Sequence, residues 1–202
     1  MKHMLIILSC ILATMLISCN KEYYAGEDGV TWSKNMIAMY IDCNELDLEL
    51  EGNRIYATIK GDKISKRFNP VKFDSLANAN NDTEYTSTIL GSNISINDSI
   101  YSVSIKCDKD IDETHLAGDE LNDLFTFESS TYFTIIQDHY TRREADVIKM
   151  KAKDITQVET KVMESYFYLF LDTPPAQSGT YNFEVSIRLS QKTLKNNIAI
   201  EF

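Results

Sequence analysis

Tyr181-Asn182-Phe183-Glu184-Val185-Ser186-Ile187-Arg188-Leu189 carries apolar side chains at every odd position and polar ones at every even position. A period of two places one set on a buried face and the other in water, which is a half-buried strand. Working outward, Pro174-Pro175 and Gly179 break the chain before it, and Ile198 to Phe202 forms a last strand after it. Upstream, Tyr166-Phe167-Tyr168-Leu169-Phe170-Leu171 has no polar alternate and reads as a central strand buried on both faces.

The same period recurs towards the amino end. Ile37, Met39, Ile41 and Cys43 alternate, then Leu46, Leu48 and Leu50, then Ile55, Ala57 and Ile59 after the Gly52-Asn53 turn. Ile94 and Ile96 give way across Asn97-Asp98-Ser99 to Tyr101, Val103, Ile105 and Cys107 on the opposite parity, the mark of a hairpin or a bulge. Tyr132 to Gln137 and Val147 to Lys151 add two more runs. Eight or nine strands predict an all-β chain, an antiparallel β-sandwich of immunoglobulin-like type. One short helix is expected near 119–125, with Asp119 as its cap and Leu121, Leu124 and Phe125 on one face.

The first residues have a different character. Lys2 and His3 precede an uncharged apolar run from Met4 to Ile17, shorter than the roughly 20 residues that span a bilayer. A charged start, a short apolar run and a small residue at the end describe an export signal. Leu16-Ile17-Ser18-Cys19 resembles the lipobox of bacterial lipoproteins. The resemblance implies removal of residues 1–18, a diacylglyceryl thioether on Cys19 and acylation of the new amino end. Two or more acyl chains hold a protein stably to a membrane. Residues 19–34 then read as a lipidated flexible tether and 35–202 as a single domain. Lys21-Glu22 partly matches the surface-export tag of Bacteroidetes lipoproteins, so the expected address is the outer membrane of the envelope, facing inward or outward.

Charge narrows the partners. Without Lys2 the chain has 19 cations against 30 carboxylates, a net charge of −11. Such a surface repels phosphate backbones, which excludes nucleic acid as a partner, and offers no average attraction to anionic lipid beyond the anchor. Cys10 leaves with the signal. Cys43 and Cys107 are then either a disulfide formed in an oxidising compartment or two buried free thiols.

A wider likeness joins these features. The lipobox, the tether, Leu116-Ala117-Gly118-Asp119-Glu120-Leu121-Asn122-Asp123-Leu124-Phe125 and Pro174-Pro175 with Gly179-Thr180-Tyr181-Asn182-Phe183-Glu184-Val185 are similar to small Bacteroidales envelope lipoproteins that carry a domain of unknown function. That resemblance implies a β-sandwich and an envelope address, and lends no catalytic residue. It also implies O-glycosylation at Asp-Ser followed by an aliphatic residue, which makes Ser75 and Ser99 candidates.

Chemistry is sparse. After the signal, only His115 and His139 remain as bases, and no Gly-x-Ser-x-Gly elbow accompanies them. No close Cys/His pairs suit zinc, and no glycine run suits phosphate. Asp108, Asp110 and Asp112 are spaced like the first ligands of a calcium loop, with Asp119 at the twelfth position, but Glu113 stands where that loop needs glycine. Trp32, Tyr23 and Tyr24 are candidate sugar-stacking aromatics, and the other rings fit a core. No cofactor is expected. The leading expectation is a non-enzymatic binding or accessory module for glycan or protein, of unknown oligomeric state. A structural or adhesive subunit that exchanges its terminal strand is the alternative, and a carboxylate-based hydrolase stands third.

Overall fold

The computed structural model describes residues 24–25, 31–88, 93–142 and 144–202. The expected signal, Cys19 and the Lys21-Glu22 tag lie outside the described residues. In chain order the elements are β1 (Tyr24–Ala25), β2 (Thr31–Ser33), β3 (Met39–Glu51), β4 (Arg54–Ile64), α1 (Pro70–Ala79), β5 (Ser87–Thr88), β6 (Ile94–Ile96), β7 (Ser102–Cys107), β8 (Phe125–Thr131), α2 (Phe133–Gln137), β9 (Asp146–Lys151), β10 (Tyr166–Leu171), β11 (Thr180–Arg188) and β12 (Thr193–Glu201). The expected tether therefore contains two short strands, β1 and β2, which form a small sheet with β5.

Two larger sheets build the domain. One has six strands in the order β6-β3-β4-β10-β8-β9, and the other has three in the order β12-β11-β7. Their facing sides share one core, from Leu46, Ile55, Ala57, Phe127, Phe167 and Leu169 of the first to Val103, Ile105, Phe183, Val185 and Ile187 of the second. The chain is thus mostly β, with two sheets packed face to face as in a sandwich. The β6–β3 pair is parallel and the other pairs of both sheets are antiparallel.

The β3–β4 hairpin organises the larger sheet. Gly52, at φ 65, turns the chain between Glu51 and Arg54. Along the hairpin the register slips between Cys43 and Glu45, a β-bulge. Before the bulge Ile41 and Cys43 are buried, and after it Leu46 takes over, so the inward parity changes from odd to even. Gly61 lies opposite Cys43, and a Cβ there would stand 1.6 Å from the Asp42 carbonyl oxygen. The bulge exists because glycine leaves room for it. Asn97 satisfies the loosened backbone, taking the Cys43 amide at 3.3 Å and donating to Asp42 at 2.9 Å.

A second core lies on the other side of this hairpin. Tyr40 and Ile64 meet Phe73 and Ala77 of α1 and Tyr132, Ile135, Ile136 and Val162. α1 begins where Asn69 accepts the Lys72 amide and Pro70 opens the first turn. Asp82, fully buried, ties the chain entering the domain by accepting the Met36 amide at 2.7 Å and the Ile37 amide at 2.9 Å, with the Tyr140 hydroxyl at 2.9 Å. Desolvation holds its carboxyl above the usual range, opposed by those two amides and Tyr140.

Three expectations change, and the alternative left open for Cys43 and Cys107 is decided. The short helix at 119–125 is replaced by turns and an isolated bridge from Glu120 to Lys106. Asp119 accepts the Leu116 amide behind it rather than an amide ahead, and Asn122 clips β7 through the Ile105 amide and the Val103 carbonyl, both at 2.8 Å. The parity switch at Asn97-Asp98-Ser99 is a passage from one sheet to the other, from β6 to β7. Tyr132 to Gln137 turns into α2. Cys43 and Cys107 are free, buried thiols. Cys43 belongs to β3, which runs beside β12, whereas Cys107 ends β7 on the far side of β11.

Gly61→Ala is expected to cost about 3 kcal/mol or more, because a methyl group against backbone has nowhere to go. Gly52→Ala meets no atom within 4 Å and suffers only its positive φ, at about 1 kcal/mol. Urea unfolding of both variants checks the order.

Candidate functional site

The six-stranded sheet has one face in the main core and one face outside. α1 and the Tyr132–Ile136 segment roof one end of the outer face through the second core. The rest of that face is open, and the register determines what it presents. Tyr168 stands opposite Tyr56 on one side and Glu128 on the other, Tyr166 opposite Thr58, and Phe170 between Arg54 and Thr126.

These residues form a continuous aromatic floor. Ring centroids are 5.2 Å apart for Tyr56–Tyr168, 5.8 Å for Tyr56–Tyr166, 6.0 Å for Tyr166–Tyr168 and 6.2 Å for Tyr168–Phe170. All four rings are half-buried. The Arg54 guanidinium lies over Tyr168, 3.9 Å from its centroid, a cation–π contact. Charged pairs border the floor: Glu51–Arg54 at 2.8 Å, Glu128–Lys149 at 2.8 Å, and Asp47–Lys60. Each of these carboxylates is paired with a cation.

Glu164 differs. It sits where the floor meets the roof, its amide bonded to Ser130 at 2.9 Å. One carboxylate oxygen, Oε1, takes the Tyr132 hydroxyl at 2.7 Å, and the other, Oε2, is buried without a hydrogen-bond partner among the described residues. Burial and the Glu164 carboxylate together keep the Tyr132 hydroxyl protonated well above its ordinary range. The same carboxylate, beside Tyr166, and then burial do so for Tyr166. A buried acceptor without a donor is costly, and such sites are where a ligand hydroxyl is worth most. Two residues earlier, Val162 holds φ 49, a strained conformation for a β-branched side chain. Strain of this sort persists only where the surroundings over-determine it, and here the Tyr132 amide bonds the Val162 carbonyl at 3.1 Å.

The run at 166–171 is thus only half core. Phe167 and Leu169 are fully buried, whereas Tyr166, Tyr168 and Phe170 lie on the open face. Sequence reasoning missed this floor, and its signal was the tyrosines themselves, whose hydroxyls need a polar or wet end. Tyr24 and Trp32 are register partners in the β1–β2 pair, which belongs to a separate sheet, and Tyr23 lies outside the described residues.

The other candidates are dispersed. Asp108 binds Asn182 through its amide at 2.9 Å and its side chain at 2.6 Å, Asp110 takes the Ala117 amide at 2.7 Å, and Asp112 takes the Thr114 and His115 amides. Asp110 and Asp112 serve their own loop and Asp108 ties it to β11, beside a cleft of about 630 Å³ that Tyr181 and Gln177 also line. Among the described residues no three His, Cys, Asp or Glu side chains converge as a metal site. His115 bridges Asp112 at 2.9 Å and Asp123 at 3.3 Å, while His139 is exposed beside Glu84. Ser75 is exposed on α1, and Ser99 is half-buried beside Asp98, which is bonded to Ser190. β12 is paired with β11 along its length. Among the described residues no helix is long and apolar enough to cross a membrane.

No family model matches the chain, and no curated protein or solved structure matches it either.

The His115 bridge has a pH signature. The hydrogen bond to Asp112, then that to Asp123, raises the imidazole pKa above its ordinary value. Its contribution is therefore complete below the unfolded value near 6.5 and lost as pH rises through the folded one. The protection factors of the Thr114 and position-115 amides, which are corrected for base-catalysed exchange, should fall as pH rises above about 6.5, and His115→Gln should remove that fall.

Proposed function

We propose that this chain is an envelope lipoprotein of the Bacteroidetes type, held to the outer membrane through Cys19, whose domain is a non-catalytic glycan-binding module. The observation that carries the binding reading is the open half of the outer sheet face, four contiguous rings ending at the Glu164 carboxylate, whose buried Oε2 has no hydrogen-bond partner among the described residues. Sugars have faces of C–H groups that stack on aromatic rings and hydroxyl edges that need acceptors, so floor and Glu164 suit one ligand. The double sheet then works as immunoglobulin-like modules do, as a rigid support for an exposed face. The lipobox at Leu16 to Cys19 and the apolar leader support the address.

The test is a glycan array probed with the detergent-solubilised full chain, followed by titration of the best ligand. Tyr168→Ala is expected to weaken binding about tenfold or more, as loss of a central aromatic contact does. Glu164→Gln, which offers an amide donor where the orphan acceptor stood, should weaken it by a similar factor. Val158→Ala, at an exposed residue away from the floor, should leave affinity unchanged. Unaltered affinity in Tyr168→Ala, with its unfolding midpoint preserved, would remove the floor from the account.

A further inference from the structure

The chain as a whole is acidic, yet between Asp62 and Asp74 it carries four cations, Lys63, Lys66, Arg67 and Lys72, against two carboxylates. These residues leave β4, make a turn and start α1. The turn is fixed by Ser65, whose carbonyl accepts the Phe68 amide at 3.2 Å and the Asn69 amide at 2.9 Å. Inside, Phe73 and Ala77 bury against Tyr40 and Ile64. Outside, the same turn and first helical residues push Phe68 and Val71 into solvent, 65% and 82% exposed. Lys66 pairs with Asp74, and Lys72 with Asp42 at 2.5 Å, whereas Lys63 and Arg67 form no ion pair among the described residues. The Arg67 guanidinium instead lies 5.6 Å from the Phe68 ring. Apolar tips flanked by unpaired cations are how a surface engages the headgroup boundary of an anionic bilayer.

Position agrees with charge. Lys34 and Asn35, where the chain enters the domain, line the same pocket as Lys66, Asp74 and Ala77. The entry point and the basic tip therefore share one end of the molecule. β1 pairs back on β2 beside the entry point, so the free length runs from Cys19 to Tyr24, five residues and a reach of about 17 Å at full extension. An anchor at Cys19 is long enough to let this end turn to the membrane.

We infer that the Lys63–Lys72 tip seats on an anionic phospholipid surface, with Phe68 and Val71 entering the headgroup boundary and Lys63 and Arg67 meeting lipid phosphates. The inference rests on the lipoprotein reading for the nearness of the membrane, and on the tip alone for the contact. Seating would orient the domain and so hold the aromatic floor in a constant direction relative to the bilayer.

The experiment uses the full chain in vesicles of phosphatidylcholine, with or without phosphatidylglycerol, each containing spin-labelled lipid. Fluorophores are placed at Val71→Cys and, as control, at Val158→Cys; Cys43 and Cys107 are buried and stay unlabelled. Quenching at position 71 is expected in anionic vesicles and not in neutral ones, with none at position 158. Lys63→Glu with Arg67→Glu should weaken it more than about tenfold, given the contribution of each cation at such a surface. About 1 M salt, where the Debye length is about 3 Å, should do the same. Equal quenching at both positions, or contrast that survives the double reversal, would overturn the inference. The mass of the Cys19 peptide is read in the same samples. If Cys19 carries no acyl group and the chain washes off, the lipoprotein reading fails by itself. The tip is then judged by whether anionic vesicles at low salt still recruit the chain, and failure to recruit overturns it.

Discussion

The close approach of Gly61 to the Asp42 carbonyl is the constraint on which the rest depends. It permits the bulge, and the bulge changes which side chains of β3 point inward. A straight hairpin would carry the parity of Ile41 and Cys43 onward and place Glu45, Asp47 and Glu49 in the main core, an arrangement no interior tolerates. With the slip, Leu46 and Leu48 pack between the sheets, and the acidic residues move to the outer face. One long hairpin thereby serves two cores, an apolar one between the sheets and a smaller one under α1. The roof ends where the second core ends. That leaves half a sheet face uncovered, and the uncovered half is where the aromatic floor lies.

Much of this was legible in the residues. Tyr181 to Leu189 reads as β11, and the C-terminal run after it as part of β12. The two main sheets hold nine strands between them, as the alternating runs suggested. The bulge was not read, although the apolar positions 41, 43, 46, 48 and 50 slip phase across Asn44-Glu45. Helix α1 was missed, although Asn69-Pro70 carries its signal, a cap followed by the residue best suited to a first turn. The helix expected at 119–125 failed for a local reason. Asn122 bonds β7, and Phe125 already opens β8, so too few residues remain for a helix to close its own hydrogen bonds.

The floor was less legible because openness is a property of neighbours. Tyr166, Tyr168 and Phe170 share a run with Phe167 and Leu169 that looks uniformly apolar. What separates them is register with Tyr56, Arg54 and Glu128, residues roughly 40 to 110 positions away in the chain. Averages hid the basic tip in a similar way. A net charge of −10 describes solubility and long-range repulsion, yet an ion at contact distance meets Lys63 and Arg67 rather than the average. Cys43 shows the same dependence on surroundings. Burial pushes its thiol up to about 11, so a residue that read equally as half of a disulfide or as a buried thiol is the second, and chemically quiet.

The central claim is that ligand sits on the open half of the outer sheet face. Hydrogen–deuterium exchange of the full chain, with and without a saturating glycan from the array, tests it most directly. Slowed exchange is expected in β10 and β4, around Tyr56, Tyr166 and Tyr168, and in the segment from Val162 to Glu164. Protection confined instead to the loop from Asp108 to Asp119 and the Gln177–Tyr181 side of its cleft would contradict it, and would move the binding site to the other end of the sandwich.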